Sequence, residues 1–264
     1  MESTMNYEKI VKELKWFGYD ATVITVNKNG IKRTGVMIGN SDRRLTYYPA
    51  PEDTVKEAVK KILATYEKER AEAGRLNIKK LTSWEYIKDH MSLCIQRKTD
   101  DPLLKRNFLD LEMYIRVDIP DYGKYNLLAA LVTDTFGADE DEIFSRAMAK
   151  LEDDINIIPM EHVIGNIFPL GAPKQLILTT KSGERGASVI CIKDLLRKIA
   201  DMFDSNLVIF PSSIHECIIS IDDGLDMEEC LEIVRGINQR CVDEEDILSD
   251  HAYFYNKDTE KITW

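Results

Sequence analysis

Ser212, Ser213, His215 and Glu216 fall within one short stretch of chain, and together they offer a hydroxyl nucleophile, an imidazole base and a carboxylate to orient it. That is the set of groups acyl-transfer hydrolysis needs. Their spacing argues against using it. On a strand, His215 and Glu216 would point to opposite faces, and a serine two or three positions away in a tight loop seldom turns its oxygen to that imidazole. No Gly-x-Ser-x-Gly elbow is present. The plainer expectation is that these side chains satisfy backbone N–H and C=O groups beside a hairpin. His215 and Cys217 would share a strand face, and His251 or His162 would complete a metal set, were it not that neither His-x-x-x-His nor Cys-x-x-Cys occurs. No metal is therefore expected. Asp110 and Glu112 would share a face of a strand over Phe108–Ile119, where alternation makes them the wet side of an edge strand.

The elements that must position these residues follow from periodicity. Leu207–Phe210 is too short for a helix, is rich in β-formers, and stops at Pro211; Cys217–Ile221 returns. This predicts a hairpin with a four-residue loop, apolar on both faces and so central and covered, with Ile209 beside Ile219. Its helix opens with the Asp226-x-x-Glu229 pattern of a capping box and carries Met227, Cys230, Leu231, Val234 and Ile237 as an apolar stripe. The preceding stretch predicts the same layout, a hairpin of Gln175–Thr180 and Ala187–Ile192 followed by a helix through Leu195, Leu196, Ile199, Met202 and Phe203. Further upstream, strands are expected at Ser92–Gln96, Phe108–Ile119 and Leu127–Phe136, and an acid-fronted helix after Gly137. Ile157–Pro173, with its prolines and glycines, is the expected hinge. Residues 1–75 read as a small α-β-β-β-α lobe with one helix ending at Gly18 and another starting at Pro51, and 76–264 as the main domain. The fold class expected is α+β, a mostly antiparallel sheet with helices packed in layers.

The chain has 264 residues, 44% apolar and 31% charged, an ordinary globular balance. No apolar run approaches a membrane span or signal-peptide core. The five cysteines lack metal or redox spacing and sit among apolar neighbours, which fits a reducing cytoplasm. The net charge of −11 is uneven: residues 1–75 carry 14 Lys+Arg against 11 Asp+Glu, 76–137 carry 9 against 9, and 138–264 carry 12 against 26. Such a field opposes nucleic acid and anionic membranes and favours a basic protein partner. Gly35–Gly39 lacks the helix and lysine of a phosphate loop, and Phe108, Tyr114 and Tyr125 do not stand among basic residues as a stacking surface would. Neither cofactor nor direct nucleic-acid binding is expected, and nothing in the sequence sets an oligomeric state.

Several strings carry a resemblance: Phe-Pro-Ser-Ser-Ile-His-Glu at 210–216, Ile237-Asn238, Leu248-Ser-Asp-His-Ala-Tyr253, Asn107-Phe-Leu-Asp-Leu111, Gly186-Ala187 and Val26-Asn-Lys-Asn-Gly30. In these the chain resembles the bacterial domain-of-unknown-function 5688 family over most of its length. It departs from that family at Leu45-Thr-Tyr-Tyr-Pro49, where a Ser-Pro-Thr-Ile-Tyr-Leu-like string is usual. The resemblance implies no activity. Within its strings Glu216, Asn238, Asp250 and His251 form the candidate binding set. The function expected is a non-catalytic binding or regulatory protein that meets a basic partner through its acidic C-terminal half. The alternative is a small-molecule hydrolase centred on Ser212, Ser213, His215 and Glu216.

Overall fold

The computed structural model describes residues 6–40, 43–73, 83–119, 123–132, 137–165, 174–211, 213–224 and 226–264. The chain divides into two compact units, Met1–Leu81 and Thr82–Trp264.

In the first unit, helix α1 (Tyr7–Trp16) starts where the Asn6 side chain accepts from Lys9 N, and buries Ile10, Val11 and Leu14. Three antiparallel strands follow, β1 (Ala21–Lys28), β2 (Ile31–Asn40) and β3 (Arg43–Tyr47). The β1–β2 turn needs two residues at positive φ, and Asn29 and Gly30 supply them at 50° and 81°. Helix α2 (Val55–Ala73) begins four residues after Pro51, not at it. Thr54 and Glu57 explain the difference: each side chain accepts from the other's backbone N–H, a capping box that fixes the start. Val36 and Ile38 of β2 meet Ala58, Val59 and Ile62 of α2 and the α1 residues in one small core.

The second unit is α+β, with two antiparallel sheets. Helix α3 (Trp84–His90), capped by Ser83, leads into β4 (Met91–Arg97). The next run is not the single strand expected over Phe108–Ile119. Leu109 adopts φ +56° and turns the chain, giving β5 (Lys105–Phe108) and β6 (Leu111–Ile119). Strand β4 pairs along one edge of β6, while β5 and β7 (Gly123–Asn126) share the other. Leu127–Phe136 is not a strand either. Leu127 spends its N–H and C=O on Ile115 and Leu104, a helical turn follows at Ala129–Leu131, and residues 133–136 lie outside those described. Two adjacent alanines favour that turn.

Helix α4 (Glu140–Asp153) is capped by Asp139 and packs Ile143, Phe144, Ala147 and Leu151 inward. Part of the expected hinge is regular: β8 (Ile155–Pro159) pairs with β9 (Gln175–Thr180), and Met160–Ile164 forms a short helix, α5. The rest of that stretch, 166–173, is outside the described residues. Gly186–Cys191 is a buried 3₁₀ helix, not the returning strand of a hairpin. Helix α6 (Lys193–Phe203), β10 (Leu207–Phe210), β11 (Cys217–Ile221), α7 (Met227–Cys241), β12 (Tyr253–Asn256) and β13 (Lys261–Thr263) complete the chain. The larger sheet runs β13-β12-β10-β11-β9-β8.

Strand β10 is central and wholly buried, with Ile209 opposite Ile219 as its pattern requires. Its two faces meet different partners. Leu207 and Ile209 join the main core shared with β4, β6, the 3₁₀ helix, α4 and α6, whereas Val208 and Phe210 pack with Cys230 and Val234 of α7. No helix among the described residues is long and apolar enough to cross a membrane.

Candidate functional site

The β10–β11 connection is six residues long, 211–216, because the ladder ends at Phe210↔Ile218 and β11 begins at Cys217. Ser212 lies outside the described residues. Ser213 is buried, bridges to Ile247, and its Oγ accepts the backbone N–H of His215 at 3.0 Å. The His215 carbonyl accepts from Thr179 Oγ1 at 2.8 Å. His215 therefore sits in a bend before the strand and shares no strand face with Cys217, since its N–H and C=O go to side chains and not to the ladder. Arg185 N donates to the ring at Nδ1, 3.3 Å away, which places the ring proton on Nε2, 3.7 Å from Asp246 Oδ2. Among the described residues no hydrogen bond joins the Ser213 hydroxyl to the ring, and the Glu216 carboxylate binds neither. The thiol of Cys217, fully buried, is pushed well above its ordinary value by that burial.

The segment that meets this loop also builds a second polar cluster. Ile214 N donates to Asp246 O and Ser249 N to Pro211 O, so the 211–216 connection lies against 246–249. Beyond it, Asn238, Asp250 and His251 come together with residues that sequence reasoning did not assign to a site. Asn238 Nδ2 donates to Ser249 O at 2.9 Å and to Asp250 Oδ1 at 2.8 Å. Its own Oδ1 is buried without a hydrogen-bond partner among the described residues. Asp110, in the β5–β6 turn, accepts from Ser249 Oγ at 2.9 Å, His251 Nδ1 at 3.0 Å and Tyr253 OH at 2.6 Å.

Asp110 and Glu112 consequently do not form a pair on the wet side of an edge strand. The turn at Leu109 separates them, β6 is an interior strand, and Glu112 is buried, accepting from Gln96 and Thr99, each at 2.8 Å, with Lys105 Nζ at 3.1 Å. Burial works to raise the Asp110 pKa, and the hydrogen bonds from Tyr253, His251 and Ser249 outweigh it, holding the carboxyl below its usual value. Burial and the Asp110 hydrogen bond both push the Tyr253 phenol up. The cluster can clamp the 249–253 segment onto the smaller sheet, and it leaves the His251 ring about half exposed at its outer edge, 47% by side chain. The only sequence signal for this convergence was that 107–111 and 248–253 both carried the resemblance. Glu216 stays apart from it: the described contacts place no Glu216 bond to Asn238, Asp250 or His251.

A cavity of about 290 Å³ opens elsewhere in the second unit, where β4 and β6 approach the end of α4 and the turn after β9. Arg116, Lys124, Lys150 and Arg185 bring cations to it, and Asp118, Asp154 and Glu184 carboxylates; neither His215 nor His251 lines it. No group of three or more His, Cys, Asp or Glu side chains placed to hold a metal ion occurs among the described residues.

Comparison with curated proteins and with solved structures found no match in either case. The model of a family of unknown function, DUF5688, matches residues 5–257, nearly the whole length. Both polar clusters lie inside that span, and the chain belongs to this family.

Proposed function

We propose that the protein is a non-catalytic binding or regulatory protein of the cytoplasm that engages a basic protein partner through its acidic C-terminal half. The observation that carries this reading is a run of carboxylates with few cations. From Glu216 to Asp250 the chain holds twelve Asp and Glu against two Lys and Arg, a net charge of −10. Asp222, Asp223, Glu228, Glu232, Asp243 and Glu244 in that span are exposed, and among the described residues none pairs with a Lys or Arg. Helix α7 turns Cys230 and Val234 onto the sheet, which puts Glu228 and Glu232, two positions from Cys230 on either side, on its outer face. A one-sign field of this kind steers an oppositely charged partner and discriminates against anions. Affinity capture with mass spectrometry at low and high salt tests the reading. Basic proteins retained at low salt and released at high salt are expected; a complex indifferent to salt, or none, overturns it.

A second reading, a small-molecule hydrolase centred on Ser212, Ser213 and His215, draws on the approach of His215 Nε2 to Asp246 Oδ2, which supplies an imidazole with a carboxylate beside it. Labelling by a serine-directed fluorophosphonate that is lost in His215→Ala would support it. An unlabelled protein removes it.

A further inference from the structure

We propose that the 290 Å³ cavity of the second unit binds a small organic anion, one carrying a carboxylate or phosphate head group together with a hydroxyl or amine. The argument starts from its unequal charges. Four cationic and three anionic side chains line it, and the anions are not shared evenly. Glu184 takes two of the cations, accepting from Arg116 at 2.8 Å and from Lys124. Asp118 adds a longer contact to Arg116 Nε at 3.4 Å.

That leaves Lys150 and Arg185 with neutral acceptors. Arg185 Nη1 donates to the Tyr114 hydroxyl at 2.8 Å, and Lys150 Nζ to the Asp89 carbonyl at 2.6 Å. Among the described residues neither has an ion-pair partner. Lys150 is exposed as a residue, yet its ammonium, bonded to the Asp89 carbonyl, is desolvated enough for burial to lower its pKa. With four cations against three carboxylates, and Lys150 and Arg185 outside the ion pairs, an arriving carboxylate or phosphate can take charge-assisted hydrogen bonds from both. The opposite polarity is also provided for. Asp118 Oδ1 is buried and makes no hydrogen bond among the described residues, its 3.4 Å approach to Arg116 Nε being an ion-pair contact, so it can accept from a hydroxyl or ammonium on the same ligand.

Glu184 occupies the place of a ligand group. It comes from the turn between β9 and the 3₁₀ helix, and its carboxyl is held below its usual value first by Lys124 and then by Arg116. Its grip on both cations makes it a built-in competitor for any incoming anion. The size fits a small metabolite, at the low end of the roughly 300–1,000 Å³ usual for ligand sites. None of this depends on the acidic face or on a protein partner.

The competitor gives the proposal a test in two directions. Isothermal titration calorimetry and thermal shift on the full chain would use inorganic phosphate, glucose 6-phosphate and malate, with glucose as the uncharged control, at about 0.15 M salt to suppress loose surface binding. At least one anion should bind with 1:1 stoichiometry and raise Tm while glucose does not; the tighter of phosphate and carboxylate probes identifies the head group. Lys150→Gln should weaken that binding about tenfold, the effect of losing one charge-assisted contact. Glu184→Gln should tighten it several-fold by releasing Arg116 and Lys124. No binding by any of the three anions, binding indifferent to Lys150→Gln, or weaker binding in Glu184→Gln overturns the proposal. Lys150 lies on an exposed helix end, so its variant decides alone if Glu184→Gln does not fold.

Discussion

Asp110 is where titration and stability meet. Its carboxyl receives hydrogen bonds from Ser249, His251 and Tyr253 and sits below its ordinary pKa, so the folded state prefers it ionised more than the unfolded state does. The stabilisation is therefore complete above the unfolded carboxyl value near 3.9 and is lost as pH falls through the lower folded value. Urea unfolding from about pH 6 to pH 3 should show wild-type stability falling at the acid end, and Asp110→Asn, which cannot titrate, should show a shallower fall; parallel curves would refute the assignment. Removing one donor isolates a share: Tyr253→Phe deletes the 2.6 Å bond and should cost about 1–2 kcal/mol in the same assay at neutral pH. Beyond the resemblance that 107–111 and 248–253 both carry, none of this was legible in the sequence. A carboxylate in a string that reads as a strand gives no hint that its donors lie some 140 positions later, and the turn that exposes it depends on Leu109 at positive φ, which few residues other than glycine adopt.

At the level of elements, the difference between what was readable and what was not lies in whether local chemistry or tertiary packing decides. The β10–β11 hairpin and the Asp226–Glu229 capping box were readable because short runs of β-formers, Pro211 and the cap residues act within a few positions. The 3₁₀ helix at Gly186–Cys191 was not, since all six residues are buried and a short apolar run buried all round has no period to separate strand from helix. What fixes it is a close approach at Gly186. A Cβ there would collide with Thr179 Oγ1 and Thr180 N and lie 2.7 Å from His215 O, at backbone that cannot easily retreat. The Thr179–His215 bond and the Ala187 N to Ile214 O bond tie the same three segments together. Gly186→Ala should therefore cost about 3 kcal/mol or more, the upper end of overpacking, measured by thermal or urea unfolding. It should also disturb the Arg185–His215 contact next to it, visible as shifted His215 ring resonances. A neutral result would mean that the 3₁₀ helix is held elsewhere.

Across the whole molecule, the α+β class and antiparallel sheets followed from the order of apolar runs, while the Asp110 cluster and the cavity needed the second unit assembled, because each draws on residues from both of its sheets. Charge is different: its bias is a property of the sequence, and folding decides only where it is displayed. Helix α7 displays it because Cys230 and Val234 commit one side to the sheet. Reversing Glu228 and Glu232 to Lys changes the field by four charges without touching the packed side. Glu229 must stay, since its carboxylate accepts from Asp226 N in the capping box. Neither reversed position has a cation to lose among the described residues, so stability should stay within about 0.5 kcal/mol of wild type, less a few tenths for a cation in the first helical turn. Any loss of partner capture then reports electrostatics and not unfolding. If the acidic face recruits a basic partner, the double variant should lose most of its capture at low salt, and wild type at about 0.5 M salt should resemble it, since screening and reversal remove the same attraction. Capture that survives both changes overturns the acidic-face reading.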